Sequence, residues 1–124
     1  MTDKVKAILA YARERFGTEP EYLWKAAPNY LVLRNKLNNK WYAIIMDVPR
    51  GSLGFEGDGV LWVMNVKCDP MIIGSFVERK GFLPAYHMNK EHWMSVILDD
   101  PEIGTEEILN LLDMSYDMVD KFRK

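Results

Sequence analysis

The nine residues Val60-Leu61-Trp62-Val63-Met64-Asn65-Val66-Lys67-Cys68, followed at once by Asp69-Pro70, constrain the fold more than any other stretch of the chain. In an extended segment successive side chains point to opposite faces. Val60, Trp62, Met64, Val66 and Cys68 therefore share one face, which is apolar throughout. Leu61, Val63, Asn65 and Lys67 share the other, which turns polar toward its end and brings Lys67 out beside whatever site the sheet presents. Asp69-Pro70 then reads as a helix start. The aspartate caps free backbone N–H groups, and proline at the first helical position has no N–H to waste. Ile72, Ile73, Phe76 and Val77 form the buried stripe of that helix, Gly81 ends it, and Arg79 and Lys80 in the last turn complement the negative end of its dipole.

Upstream, Val5, Ile8, Leu9, Ala12 and Phe16 recur at helical spacing, with Asp3 placed to cap the helix and Gly17 to end it. A short extended piece over residues 22–24 precedes Ala26-Ala27-Pro28. Residues 30–34 and 41–48 then have strand composition, and Leu37-Asn38-Asn39-Lys40 makes the hairpin turn, because asparagine tolerates positive φ. Residues 49–59 hold Gly51, Gly54, Gly57 and Gly59 and read as a mobile loop. A phosphate-binding loop would run into a helix, whereas a strand follows here. Downstream, residues 82–88 lead into Tyr86-His87-Met88-Asn89-Lys90-Glu91-His92-Trp93, and residues 93–98 have strand composition. Asp99-Asp100-Pro101-Glu102 breaks that strand. Thr105 caps the last helix, Glu106 and Glu107 favour its positive end, and Ile108, Leu111, Leu112, Ser115, Met118, Val119 and Phe122 share one face. Ser115, small and polar within that stripe, allows another element to approach closely and is placed to bond the carbonyl of Leu111. Tyr116 sits at the stripe's edge, where its ring can pack while its hydroxyl reaches a polar partner.

The order of elements is helix, three or four strands, helix, strand, helix. This predicts an α+β fold, a two-layer sandwich with a largely antiparallel sheet and helices on one face. The other sheet face is expected to be partly exposed and to give ligands access. A chain of 124 residues fits one domain, residues 1–124. A lone cysteine, Cys68, excludes an intrachain disulfide and reads as a small buried hydrophobe. Together with an amino terminus lacking a signal-peptide pattern, it points to a reducing cytoplasm. No apolar run approaches the roughly 20 residues needed to span a bilayer, so a membrane protein is not expected, and a monomer is favoured.

A net charge of −2 argues against a protein that coats nucleic acid by bulk electrostatics. The charges are nevertheless segregated. Residues 1–90 hold 13 bases and 9 acids, residues 91–120 hold 9 acids and no base, and the last four residues hold three bases. Lys25, Arg34, Lys36, Lys40 and Arg50, with Asp47 as the one acid among them, could form a positive patch around the first hairpin.

The stretch from Tyr86 to Trp93 gathers both histidines, a lysine, an asparagine and two large aromatic rings into eight residues. His87 and His92 with Glu91 fall short of a metal site's ligand count, so no metal and no cofactor is expected. No nucleophile, base and orienting group can be placed together from sequence, so no catalytic residue is assigned. The same residues can equally serve structure, with Trp93 in the core and His87 and Asn89 satisfying loop backbone groups.

Phe16-Gly17-Thr18-Glu19-Pro20, the strand ending Val66-Lys67-Cys68-Asp69-Pro70, the segment Tyr86-His87-Met88-Asn89-Lys90 with Trp93, and Ser115-Tyr116 together resemble the MmcQ/YjbR family of small bacterial proteins, through nearly the whole chain. The resemblance implies a fold similar to the bacterial frataxin homologue (CyaY-like), with two wing-like projections, and a DNA-binding role. Carried onto this chain, the implied nucleic-acid surface comprises Lys67, His87, Asn89, Lys90 and Trp93, with Lys36 and Lys40 on the first hairpin as a wing. Lysines would contact phosphates, the asparagine a base edge or phosphate, and an exposed aromatic ring would stack on an unpaired base. Two other readings stay open. One is a small-molecule-binding protein, in stress or drug resistance, with a cleft beside His87, Asn89 and Lys90 lined by Trp93 and Tyr116. The other is an acidic interaction or metal-binding surface of Asp99, Asp100, Glu102, Glu106 and Glu107.

Overall fold

The computed structural model describes residues 2–120; Phe122 of the expected stripe and the three terminal bases lie outside the described residues. Helix α1 (Asp3–Phe16) is followed by strands β1 (Leu31–Arg34) and β2 (Trp41–Pro49), a short 3-10 turn (Arg50–Leu53) and strand β3 (Val60–Lys67). Then come α2 (Pro70–Val77), β4 (Phe82–Pro84), β5 (Trp93–Ile97) and α3 (Thr105–Asp120). The strands form one sheet in the order β1-β2-β3-β5-β4, and each neighbouring pair is antiparallel. The α+β expectation holds. The short edge strand β4 has no alternation of its own in three residues and exists through its pairing with β5.

Capping agrees with the sequence logic at Gly17 and Asp69 and departs from it elsewhere: Thr105 is the first residue of α3 rather than its cap, and Gly81 lies beyond the end of α2. Thr2, not Asp3, caps α1, its Oγ1 accepting the Val5 N–H at 3.3 Å. Gly17 closes α1 at φ 68, and Asp69 accepts the Met71 N–H at 2.9 Å at the start of α2. Helix α2 ends at Val77, so Arg79 and Lys80 lie beyond it and pair with Glu107 and Glu102 on α3 and the segment before it. On α2 Ile73 is buried and Phe76 and Val77 pack, but Ile72 is exposed. The glycine-bearing loop is cross-braced: Arg50 donates from its backbone to Gly59 and from Nε to Glu56.

On one face of the sheet the helices bury the main core, with Val5, Ile8, Ile73, Ile108 and Leu112 against Leu31, Leu33, Ile45, Met64, Val66 and Val96. Cys68 belongs to this core, and burial pushes its thiol above the usual range, with Asp69 adding to the shift.

A β-bulge decides what reaches the opposite face. Leu33 pairs with Ala43 but Arg34 pairs with Trp41, so Tyr42 is an extra residue in β2. Tyr42 turns under the helices, where its hydroxyl donates to Thr18 Oγ1 at 2.7 Å and its ring meets Phe16 and Tyr116 edge-on. Tyr116 in turn stacks on Phe16 with centroids 3.8 Å apart. Trp41 is thereby delivered to the outer face. The Tyr42 carbonyl accepts the Ser115 hydroxyl at 2.5 Å, and Ser115 Oγ accepts the Lys67 N–H at 2.8 Å. Ser115 thus allows the close approach expected of it, but its proton goes to the sheet rather than to Leu111.

The outer face departs from expectation. Val32, Ile44, Met46, Val48, Val63 and Ile97 are buried there, together with the polar pair Asn65 and Ser95. Two irregular segments roof it, one running through Trp24 and Tyr30 and the other through Tyr86 and Met88. Neither carries a helical or strand period from which a second layer could have been inferred.

Candidate functional site

The segment containing both histidines is the loop joining β4 to β5. Asn65 and Ser95 are cross-strand partners on β3 and β5, facing outward beneath it. Ser95 Oγ donates to Asn65 Oδ1 at 2.5 Å and accepts the Tyr86 N–H at 2.9 Å, while Asn65 Nδ2 donates to the Tyr86 carbonyl at 2.9 Å. The loop is therefore pinned to the sheet through backbone atoms, with the half-buried Tyr86 ring packed against the outer face and His87 exposed. His87 has φ 57, in the left-handed region that few residues other than glycine occupy, and its ring meets that of Tyr86 at 4.0 Å.

Between this loop and the segment at 24–30 lies a cavity of about 320 Å³ above β2. Its walls are Trp24, Ala26, Ala27 and Tyr30 on one side and Tyr86, His87 and Met88 on the other, with Trp41, Ile44 and Met46 as floor. The Trp24 ring stands edge-on to both Tyr30 and Trp41, each at 6.0 Å. The Tyr30 phenol is held above its ordinary range, first by burial and then by the neighbouring Tyr86 and Asp47. Asp47 is held in turn by Asn29 at 2.9 Å. A cavity of this size lies at the lower end of the volumes typical of small-ligand sites, and a mostly apolar wall with a few polar groups is their usual composition.

The sequence-predicted residues divide. His87 lines the cavity and also a more open hollow beside it, where Lys90 and Leu83 lie. Asn89 uses its Oδ1 to accept the Glu91 N–H at 2.8 Å, shaping the turn before β5. Trp93 is a correction to the implied stacking platform: it is only 7% exposed, and Lys67 lies 6.0 Å over its ring. Tyr116 lies among the helices and lines no part of the cavity. Lys36 and Lys40 are exposed, but the turn carrying them is no projecting wing. Asn35 is buried and bonds Asp120, and Asn38 donates to the Val119 carbonyl at 2.9 Å, so the turn is docked on the end of α3.

The YjbR family model matches residues 14–118. The chain belongs to the YjbR family. It is 42% identical over 111 residues to the uncharacterised protein YyaQ of Bacillus subtilis, covering 88% of this chain and 92% of that one. A Pseudomonas syringae protein is 38% identical; its crystal structure superposes with a TM-score of 0.87, covering 95% of this chain and 98% of the other, and its solution structure with 0.82. A Deinococcus radiodurans protein at 22% identity shares the fold, with a TM-score of 0.72 over 94% of this chain and 78% of its own. These comparisons support the YjbR assignment and give none to the parallel with frataxin.

Within this YjbR chain the acidic segment is largely committed to structure. Asp99 accepts the Trp62 N–H at 2.8 Å, Asp100 is buried and accepts the Glu102 N–H, and Glu102 pairs with Lys80. Glu107 takes Arg79 through both oxygens at 2.7 and 3.0 Å, which holds its carboxyl below the usual range. Trp24, Tyr30 and Trp41 were not singled out from sequence as site residues. The signal available was four aromatic residues, Tyr22, Trp24, Tyr30 and Trp41, bracketing Ala26-Ala27-Pro28 within twenty positions.

Proposed function

We propose that this YjbR protein binds a small, predominantly apolar molecule in the cavity between the 24–30 segment and the Tyr86–His87 loop. The observation that carries this reading is the wall: Trp24, Tyr30, Trp41 and Tyr86 supply aromatic surface, and His87 supplies a polar group at the edge. The site differs from the cleft expected from sequence in its lining, sharing His87 with it but not Trp93 or Tyr116. Titration with the neutral fluorophore N-phenyl-1-naphthylamine tests the reading. Fluorescence enhancement that saturates at micromolar protein and is lost in Trp24→Ala supports it; an unchanged Trp24→Ala response means the probe sits elsewhere.

The DNA-binding reading has one observation in its favour. Lys36 and Lys40 in the β1–β2 turn, Lys67 at the end of β3 and Lys90 before β5 belong to the same end of the sheet. Acids interrupt this set: Glu19, held below its usual range first by Arg13 and last by Lys36, lies near the turn, Asp69 follows Lys67 closely and Glu91 adjoins Lys90. Phosphate binding through so mixed a surface would be weak and strongly salt-dependent. Fluorescence anisotropy with single- and double-stranded oligonucleotides at low salt separates the readings. Salt-sensitive binding lost in Lys36→Ala/Lys40→Ala would place DNA first.

A further inference from the structure

Resting on the small-molecule reading above, we infer that the cavity selects an organic cation, of the methylated-ammonium type, over a neutral molecule of the same shape. Trp24 stands at 74° to Tyr30 and 86° to Trp41, so its ring forms a wall nearly perpendicular to each of theirs. Aromatic faces carry partial negative charge, and several faces around one poorly hydrated cation add their attraction. Quaternary ammonium ions suit such a site because they lose little hydration on entering it.

The charges around the cavity agree with this. No lysine or arginine belongs to the wall, and Lys25, between two wall residues, is exposed outside it. Arg34 lies 5.8 Å over the Trp41 ring, so that ring already holds a guanidinium in the folded protein. Arg34 is itself offset by Glu21, with Nε 2.9 Å from Oε2. Asp47, held by Asn29, places a negative charge close enough to the Tyr30 wall to disfavour a second one there, which suits a cation.

The test compares choline with 3,3-dimethyl-1-butanol, which replaces the charged nitrogen with carbon and keeps the shape. Binding is followed by tryptophan fluorescence and calorimetry on the intact chain. Choline should bind roughly tenfold or more tighter than the alcohol, in line with a partly desolvated cation–π contact. Trp24→Leu, which keeps apolar bulk but removes a ring face at a residue 37% exposed, should reduce that preference severalfold. Equal affinity for the two molecules, or preference for the alcohol, overturns the inference while leaving the small-molecule reading standing. Choline binding unchanged in Trp24→Leu also overturns it. Failure of choline, the alcohol and N-phenyl-1-naphthylamine alike removes both readings together.

Discussion

Asn65 and Ser95 face each other across β3 and β5, fully buried, and with the backbone of Tyr86 they close a ring of three hydrogen bonds. The pair is what allows an irregular loop to lie over an apolar sheet face, because each polar group it brings down finds a partner. Ser95→Ala would leave Asn65 Oδ1 and the Tyr86 N–H without their bonds. We expect a loss of about 1–3 kcal/mol in urea denaturation, the range for stranding buried polar groups. Asn65→Ala/Ser95→Ala together should cost less than the sum of the single changes, since they share one network.

Ser115 joins α3 to the sheet at the bulge, bonding the Tyr42 carbonyl and the Lys67 N–H with one hydroxyl. Ser115→Ala should cost about 1–3 kcal/mol by the same reasoning. Ser115→Val adds volume where the helix and sheet approach closely and should be worse than alanine. Chemical denaturation of the two variants checks the order.

Burial pushes the Tyr42 phenol up to about 12, against the opposing effect of its bond to Thr18. Its pKa in the folded chain lies above the ordinary tyrosine value near ~10, so between those values the folded state holds the proton that the unfolded state has released. This contribution to stability is complete below about pH 10 and is lost as pH rises toward about 12. Tyr42→Phe should weaken the protein at neutral pH through the lost bond to Thr18, yet flatten the alkaline fall. Thermal melts from pH 8 to 12 on both proteins measure the difference.

Gly81 adopts φ 91, and a Cβ there would come 2.5 Å from Ile103 Cδ1. Backbone strain and a clash in the core act together, so Gly81→Ala should lower stability by about 1–3 kcal/mol or more. By contrast Gly51→Ala meets nothing within 4 Å and should be nearly neutral. The pair of melting temperatures provides its own control.

The helices, the main strands and their antiparallel arrangement were legible because each carries a hydrophobic period of its own. Residues 60–68 show this best: Trp62, Met64, Val66 and Cys68 pack with the helices, and Leu61 and Val63 face away. The bulge at Tyr42 was not legible, because a strict alternation through 41–48 places Trp41 with Ala43 and Tyr42 opposite. One extra residue exchanges them and sends a tryptophan to the cavity. The roof was hidden for a different reason. The Tyr86 segment is held by bonds to Asn65 and Ser95 on the sheet, and the chain entering the other segment by a bridge from Glu21 to Val32, and such bonds leave no local pattern. His87 could be singled out by chemistry alone, whereas the aromatic residues that surround it across the cavity could not be connected to it without the fold.

The four tryptophans make the central claim directly measurable. Trp24 and Trp41 belong to the cavity, Trp62 packs with the main core, and Trp93 is buried beneath Lys67. Their indole N–H signals can be followed separately by two-dimensional NMR during titration with N-phenyl-1-naphthylamine. The cavity account predicts that the Trp24 and Trp41 signals shift together and saturate while those of Trp62 and Trp93 stay in place. Saturating binding that leaves Trp24 and Trp41 unmoved, or that shifts Trp62 or Trp93 instead, would contradict it.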